Sequence, residues 1–79
     1  MLTSPITDEQ IRELRRREAE YLDAHDATKD YDEFFKHRMA YYHASVALGI
    51  RRARKGGSKA KSRAYCAELL NERAAKVSP

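Results

Sequence analysis

Residues 31–55 of the chain read YDEFFKHRMAYYHASVALGIRRARK, and this stretch decides the fold. When it is plotted at about 100° per residue, as in an α-helix, its large apolar side chains cover more than half of the circumference. A helix that is apolar nearly all round needs neighbours on several sides. The stretch therefore predicts a long central helix, from about residue 30 to residue 55, against which other helices pack.

The ends of this predicted helix carry start and stop signals. Asp30 is suited to the N-cap, and Glu33 stands at the matching position of a capping box. The basic residues at 51–55 complement the negative end of the helix dipole. Glycines 56 and 57 follow them, and glycine readily adopts the left-handed conformation in which helices often end. Ser58 can cap the next helix at once, so we expect a helical hairpin with a short turn.

An N-terminal helix is expected over about residues 7–25. Thr7 and Gln10 have the spacing of a capping box, while Ile6 and Ile11 have the spacing of a hydrophobic staple. Ser4 and Pro5 offer an alternative start one turn earlier, because proline suits the first helical turn.

A C-terminal helix is expected over about residues 58–77. Its predicted inward stripe is weakly apolar and consists of Cys66, Leu70, Ala74 and Val77, flanked by Ala60 and Ala67. No stretch shows the alternation of a strand. The sequence therefore predicts an all-α fold in which residues 1–79 form a single small domain of three helices.

Composition and length limit the functional classes. A chain of 79 residues buries only a modest core, so oligomerisation or a bound partner is expected to add stability. Its single cysteine suits a reducing compartment. No run approaches the roughly 20 apolar residues of a membrane span, and the N-terminus lacks the layout of a signal peptide. These features predict a cytoplasmic protein with no membrane association.

Charge is divided unevenly along the chain. Residues 1–33 hold ten acids and five bases, a net charge of −5, while residues 34–79 hold eleven bases and two acids, a net charge of +9. No acid occurs between Glu33 and Glu68. Asymmetry of this kind points to a polyanionic partner or to self-association through opposite charges.

Seven bases within residues 51–63 surround the predicted turn, and we call this stretch the basic segment. Its predicted binding residues are Arg51, Arg52, Arg54, Lys55, Lys59, Lys61 and Arg63. Such a cluster at a helix start is suited to a phosphate backbone. An acidic protein surface and simple solvation of the charges remain alternatives. Sequence-specific reading of DNA is disfavoured, because the third helix lacks a face rich in Asn, Gln and Arg.

Two charged residues fall within predicted apolar stripes. Glu18 centres the stripe of the first helix, and Arg38 lies in the apolar arc of the long helix. Since an unpaired buried charge is costly, we expect a partly buried ion pair between them that fixes the helix register. The alternative is that one or both side chains extend to the surface along their aliphatic stems.

The long helix has a narrow remaining face, outside the arc of large apolar side chains, and this face predicts a protein interface. Its small side chains would let a second copy approach closely, giving a symmetric homodimer. The predicted interface residues are Ala40, Tyr41, His43, Ala44 and Ala47. The aromatic run on the same helix is expected to serve core and interface, with stacking on single-stranded bases as the alternative.

Catalytic and metal chemistry find no support in the sequence. His25, His37 and His43 have no metal-ligand spacing, and no nucleophile–base arrangement or phosphate-binding glycine loop occurs. Cys66 is expected to be a small core residue. We therefore expect no enzymatic activity, no cofactor, no metal and no small-molecule substrate.

Two functional hypotheses follow. In the first, the protein is a small helical binding protein whose basic segment contacts nucleic acid or a nucleoprotein complex. In the second, it is a regulatory or inhibitory protein, such as an accessory protein of a phage or mobile element. It would then act by protein–protein contact through the long helix or a homodimer face, with its charges steering association.

Overall fold

The computed structural model describes residues 6–77, which form three helices: α1 (Asp8–Ala24), α2 (Tyr31–Ala47) and α3 (Lys59–Val77). Residues 6–77 contain no strand, and the predicted all-α, three-helix arrangement is confirmed. Helix α2 packs against both α1 and α3, within overall dimensions of 38 × 37 × 20 Å. The alternative helix start at Ser4 and Pro5 lies outside the described residues.

Helix α1 begins as the sequence predicts. The Thr7 hydroxyl accepts a hydrogen bond from the Gln10 N–H at 3.2 Å, and the Gln10 side-chain oxygen accepts one from the Thr7 N–H at 2.8 Å. This reciprocal pair is a capping box. Ile6 and Ile11 are both buried in the core, which places them as the predicted staple. The helix start is thus fixed by local chemistry.

Helix α2 ends eight residues earlier than predicted, because the chain leaves the helix at Gly49. Gly49 has φ +76°, a left-handed conformation that glycine tolerates best. The N–H groups of Ile50 and Gly49 donate to the carbonyls of Ser45 and Val46, each at 3.0 Å. These two bonds form a Schellman motif, a common C-terminal cap. The prediction of a helix from 30 to 55 is therefore wrong at its C-terminal end.

The connection between α2 and α3 is correspondingly longer than expected. Residues 48–58 form an irregular segment and not the short turn of a helical hairpin. Ser58 does cap α3, since its hydroxyl accepts from the Lys61 N–H at 3.1 Å. With 17 residues, α2 is central in space but is not the longest helix, because α3 has 19.

The inward face of α3 differs from the predicted stripe. Ser62 and Cys66 are buried and Leu70 is half-buried, whereas Ala60 and Ala74 are exposed. The side chain of Val77 lies outside the described set. Because alanine is small, Ala60 and Ala74 can be exposed at little cost in free energy. Their apolar character alone was therefore not sufficient to predict that they face the core.

The core is built from side chains of all three helices and contains little large apolar volume. Its buried cluster consists of Ile6, Ile11, Leu14, Ala44, Ala47 and Cys66. The small alanines of α2 let both neighbouring helices approach its backbone closely. The resulting core depends on close packing more than on apolar area.

Replacing Gly49 by alanine distinguishes the two placements of the end of α2. Within a continuous helix the change would stabilise the protein by about 1 kcal/mol, since alanine is the better helix former. At φ +76° we expect instead a loss of about 1–2 kcal/mol, because a Cβ disfavours the left-handed region. Urea unfolding followed by circular dichroism measures the sign of the change. Gly49→Asn is the matched control, and it is expected to lose less because asparagine tolerates this region.

Candidate nucleic-acid interface

The basic segment lies on the irregular connection and the first turns of α3. Six of its seven predicted binding residues are exposed: Arg51, Arg52, Arg54, Lys55, Lys59 and Lys61. They fall within residues 51–61, a stretch that contains no acid. The structure therefore has a dense group of exposed cations on the connection between α2 and α3 and on the first turn of α3.

Arg63, the seventh residue, has an internal role. Its guanidinium donates to the Asp8 carboxylate at 2.7 Å and to the Ile6 carbonyl at 2.9 Å. The hydrogen bond and charge of Arg63 hold the pKa of the Asp8 carboxyl below its usual value. Arg63 thus ties α3 to the start of α1 and contributes less to an outward-facing surface.

Tyr42 anchors the irregular connection to α2. Its hydroxyl accepts a hydrogen bond from the Arg54 backbone N–H at 2.7 Å. The guanidinium groups of Arg51 and Arg54 lie 5.0 and 5.1 Å from the centre of the Tyr42 ring, within cation–π distance. These two arginines are therefore held in place, although they belong to a segment without secondary structure. Sequence reasoning missed this anchor, because it placed both arginines on the helix.

Two arginines of α1 contrast with the exposed cations of the basic segment. Arg16 pairs with Glu13 and Glu20, each at 2.5 Å, and Arg17 pairs with Glu13 at 3.1 Å. Hydrogen bonds from Arg16 and Arg17 lower the pKa of Glu13 to about 2. Within residues 6–77, none of the six exposed cations of the basic segment pairs with a carboxylate.

A groove of about 500 Å³ lies beside the basic segment, and we call it the aromatic–arginine groove. Its aromatic and arginine lining consists of Phe34, Phe35, Arg38, Tyr41, Tyr42, Arg51 and Arg54, and no acid lines it. Phe35 stacks on Tyr31, with ring centres 6.0 Å apart. Of the rings that line the groove, Phe35 is exposed, while Phe34 and Tyr41 are half-buried and Tyr42 is buried. The groove thus places one exposed ring, with Tyr31 stacked beside it, next to positive charge.

A second, larger groove of about 810 Å³ lies between α1 and α3. Leu14 and Leu70 line it, together with four arginines and two glutamates. Its Arg16 and Arg17 are already paired with Glu13. Arg73 is likewise paired with Glu18. Because three of its four arginines already pair with glutamates, this groove is less suited to a polyanion than the aromatic–arginine groove, which no acid lines.

The predicted ion pair between Glu18 and Arg38 is wrong in its second partner. Glu18 is 1% exposed, and its two carboxylate oxygens contact the Arg73 guanidinium and the Nδ1 of His37. The Nε2 of His37 contacts Glu33 at 3.2 Å. Arg38 is exposed and lines the aromatic–arginine groove. The glutamate is paired as expected for a buried charge, but with α3 as well as α2.

The predicted homodimer face is occupied by the chain itself. Ala40, Ala44 and Ala47 are buried in the core. Tyr41 accepts a hydrogen bond from Arg15 at 2.9 Å, and the Nδ1 of His43 contacts the Ser62 hydroxyl at 2.9 Å. Burial lowers the pKa of His43. The small face does admit close helix packing, but the helices that use it are α1 and α3.

Other chemistry is sparse in the part of the chain that the structure describes. No group of three or more His, Cys, Asp or Glu side chains there is placed to hold a metal ion. Cys66 is fully buried, as predicted for a core residue, and burial raises the pKa of its thiol to about 11. Of the described helices, none has the length and apolar character needed to cross a membrane.

Comparison with known protein families, with curated proteins and with solved structures finds no match for this chain.

Proposed function

We propose that the protein is a non-enzymatic nucleic-acid-binding protein that contacts the phosphate backbone through its basic segment. The observation that carries this proposal is the group of six exposed cations within residues 51–61, none paired with a carboxylate of the described chain. Lysine and arginine contacts to phosphates release condensed counterions, and this release supplies most of non-specific affinity for nucleic acid.

Uncompensated charge on this segment carries a cost that a polyanion relieves. Like charges close together destabilise a compact state through mutual repulsion. On α1, Arg16 and Arg17 are balanced by glutamates one turn away, whereas residues 51–61 contain no acid. A phosphate backbone would offset this repulsion on binding.

The exposed surface of α3 favours backbone contact over the reading of base sequence. Beyond its basic first turn, that surface carries alanines, Glu68, Glu72 and Lys76, and the Lys76 ammonium lies 3.8 Å from the Glu72 carboxylate. Glutamates in this position would repel phosphates if the helix entered the major groove, and they leave few side chains suited to base edges. The proposed contacts therefore position nucleic acid without specifying its sequence.

A second candidate function is regulation by contact with an acidic protein. It is favoured by the large apolar side chains that α2 and the irregular segment expose, namely Tyr31, Phe35 and Ile50. Exposed apolar groups beside charged ones are a feature of protein interfaces. This candidate uses the outer surface of α2 and no longer the buried alanine face.

A salt titration with labelled nucleic acid tests the proposed function. Fluorescence anisotropy measures affinity for a 20-nucleotide strand and for a duplex of about the same length, from low to physiological salt. The variant combines Arg52→Gln with Lys55→Gln, two exposed cations without an ion pair in the structure. We expect its log–log salt slope to fall in magnitude by about 1.4–1.8, because two phosphate contacts are lost.

The control variant combines Arg16→Gln with Arg17→Gln, which removes the same net charge from α1. We expect its salt slope to match that of the unchanged protein. Absence of binding to either nucleic acid at low salt would rule out the proposed function. An equal decrease of the salt slope in the two variants would show an effect of net charge alone. Tighter binding to polyglutamate than to either nucleic acid would favour the acidic-protein candidate.

A further inference from the structure

We propose that the aromatic–arginine groove is a base-stacking subsite for single-stranded nucleic acid. The inference rests on the proposed function and deepens it, because it names the class of nucleic acid and a second contact surface. The basic segment alone would serve any phosphate backbone. The groove adds the exposed ring of Phe35, and the exposed ring of Tyr31 lies stacked beside it at the edge of the groove. These two rings can be used only by bases that are free of a duplex.

The rings form one stripe along α2. Tyr31, Phe35, Arg38 and Tyr42 follow each other at spacings of three or four residues, so they share a helix face. Tyr31 is 63% exposed and Phe35 is 44% exposed, and their rings lie at 24° to each other. Two nearly parallel, exposed rings offer a platform on which bases can stack, since every base has a π face.

Arginine side chains supply positive charge at the C-terminal end of this stripe. Arg38 is exposed one turn after Phe35, and the guanidinium groups of Arg51 and Arg54 are held over the Tyr42 ring. From Tyr31 to Tyr42 the helix rises about 16 Å. At a phosphate spacing of ~3.4 Å for a stacked strand, this length accommodates about four or five nucleotides.

Electrostatic potential differs between the two ends of the stripe, and this difference indicates where bases and phosphates would bind. The first turn of α2 contains Asp32 and Glu33, and Glu33 contacts His37. The ring end of the stripe therefore has lower positive potential than the arginine end. Bases would stack on Tyr31 and Phe35, while phosphates would contact Arg38 and the arginines over Tyr42.

A single strand fits this surface better than the other polyanions do. A duplex keeps its bases paired and stacked inside, so it would leave the rings of Tyr31 and Phe35 unused. An acidic peptide without aromatic residues offers carboxylates to the arginines but no aromatic ring to stack on Tyr31 and Phe35. A single strand has both phosphates and free bases, in alternation along one chain.

The test compares ligands that share phosphates but differ in bases. Anisotropy is measured with labelled 12-nucleotide oligothymidine, a 12-unit abasic strand and a 12-base-pair duplex. The variant combines Tyr31→Ala with Phe35→Ala, and Ile50→Ala is the matched control for loss of an exposed apolar side chain. We expect the ring variant to bind oligothymidine about tenfold more weakly while its affinity for the abasic strand is unchanged. Thermal unfolding checks that each variant is folded.

The outcomes separate this inference from the proposed function. If the protein binds oligothymidine, abasic strand and duplex equally, and the ring variant binds like the unchanged protein, the groove proposal is overturned while the proposed function stands. If no nucleic acid binds, both fail. Ring-dependent binding of a glutamate-rich 12-residue peptide more tightly than oligothymidine would overturn the proposal in favour of a protein partner. Oligouridine in parallel distinguishes RNA from DNA as the source of the strand.

Discussion

Replacing Arg73 by leucine is expected to lower the free energy of unfolding by about 2–3 kcal/mol. The substitution leaves the buried Glu18 carboxylate with His37 as its remaining partner. Removal of one partner from a fully buried ion pair costs ~3–5 kcal/mol, because the other charge stays buried without compensation. Arg73 is 37% exposed, so water already screens part of the interaction and the expected loss lies below that range.

Urea unfolding followed by circular dichroism measures this loss as a shift of the midpoint. The control is Arg38→Leu, which removes the same charge from the exposed residue that the sequence had paired with Glu18. We expect the control to change stability by less than about 0.5 kcal/mol, as for most surface positions. A larger loss in Arg38→Leu than in Arg73→Leu would contradict the observed pairing.

The double variant Glu18→Leu with Arg73→Leu separates the contribution of the ion pair to stability from that of side-chain packing. Replacing both members of a buried ion pair by apolar side chains of similar volume is often neutral. We therefore expect the double variant to be more stable than Arg73→Leu alone. If the two single losses simply add, the pair would carry no coupling energy and the network would be a set of independent contacts.

Helix starts were predictable because they depend on residues close in sequence. Thr7 with Gln10 and Ser58 with the N–H of Lys61 make their hydrogen bonds within one turn. The end of α2 carries an equally local signal in Gly49, but Gly56 and Gly57 carry the same signal further along the chain. A single glycine is tolerated inside a helix at a cost of ~1 kcal/mol, so the sequence alone leaves the choice between these stops open.

Partners distant in sequence were less predictable. Glu18 was identified as a buried charge from its place in the apolar stripe, but Arg73 is 55 residues away in the chain. Helix periodicity gives the face of each helix and does not give the rotation of one helix against another. The anchoring of Arg51 and Arg54 by Tyr42 was hidden for a related reason, since it requires an irregular segment to fold back onto α2.

The cationic residues of the candidate site were identifiable from local charge alone, because no acid lies near them in sequence. Which cations face solvent depended on tertiary contacts. Arg63 resembles its neighbours in sequence, yet it reaches Asp8 and the Ile6 carbonyl. A charge count therefore locates a basic surface, while the assignment of each residue to ligand or fold requires tertiary contacts such as those of Arg63 with the start of α1.

Replacing Ala44 by leucine is expected to lower the free energy of unfolding by about 3 kcal/mol, at the upper end of typical overpacking costs. Ala44 is 0% exposed and belongs to a core cluster with residues from α1 and α3. Three added carbon atoms would force those helices away from α2. A chain of 79 residues has a total stability of only about 4–12 kcal/mol, so a loss of this size would be plain in urea or thermal unfolding.

The matched control is Ala64→Leu on the exposed face of α3. Alanine and leucine have similar helix propensities, so the two variants differ chiefly in the space around the side chain. We expect Ala64→Leu to change stability by less than about 0.5 kcal/mol. Sedimentation analysis of both variants tests the homodimer face that the sequence suggested. If Ala44→Leu kept full stability and altered self-association, Ala44 would face a second copy of the chain. Loss of stability without a change in association places it between the helices of one chain, where close packing leaves no room for leucine.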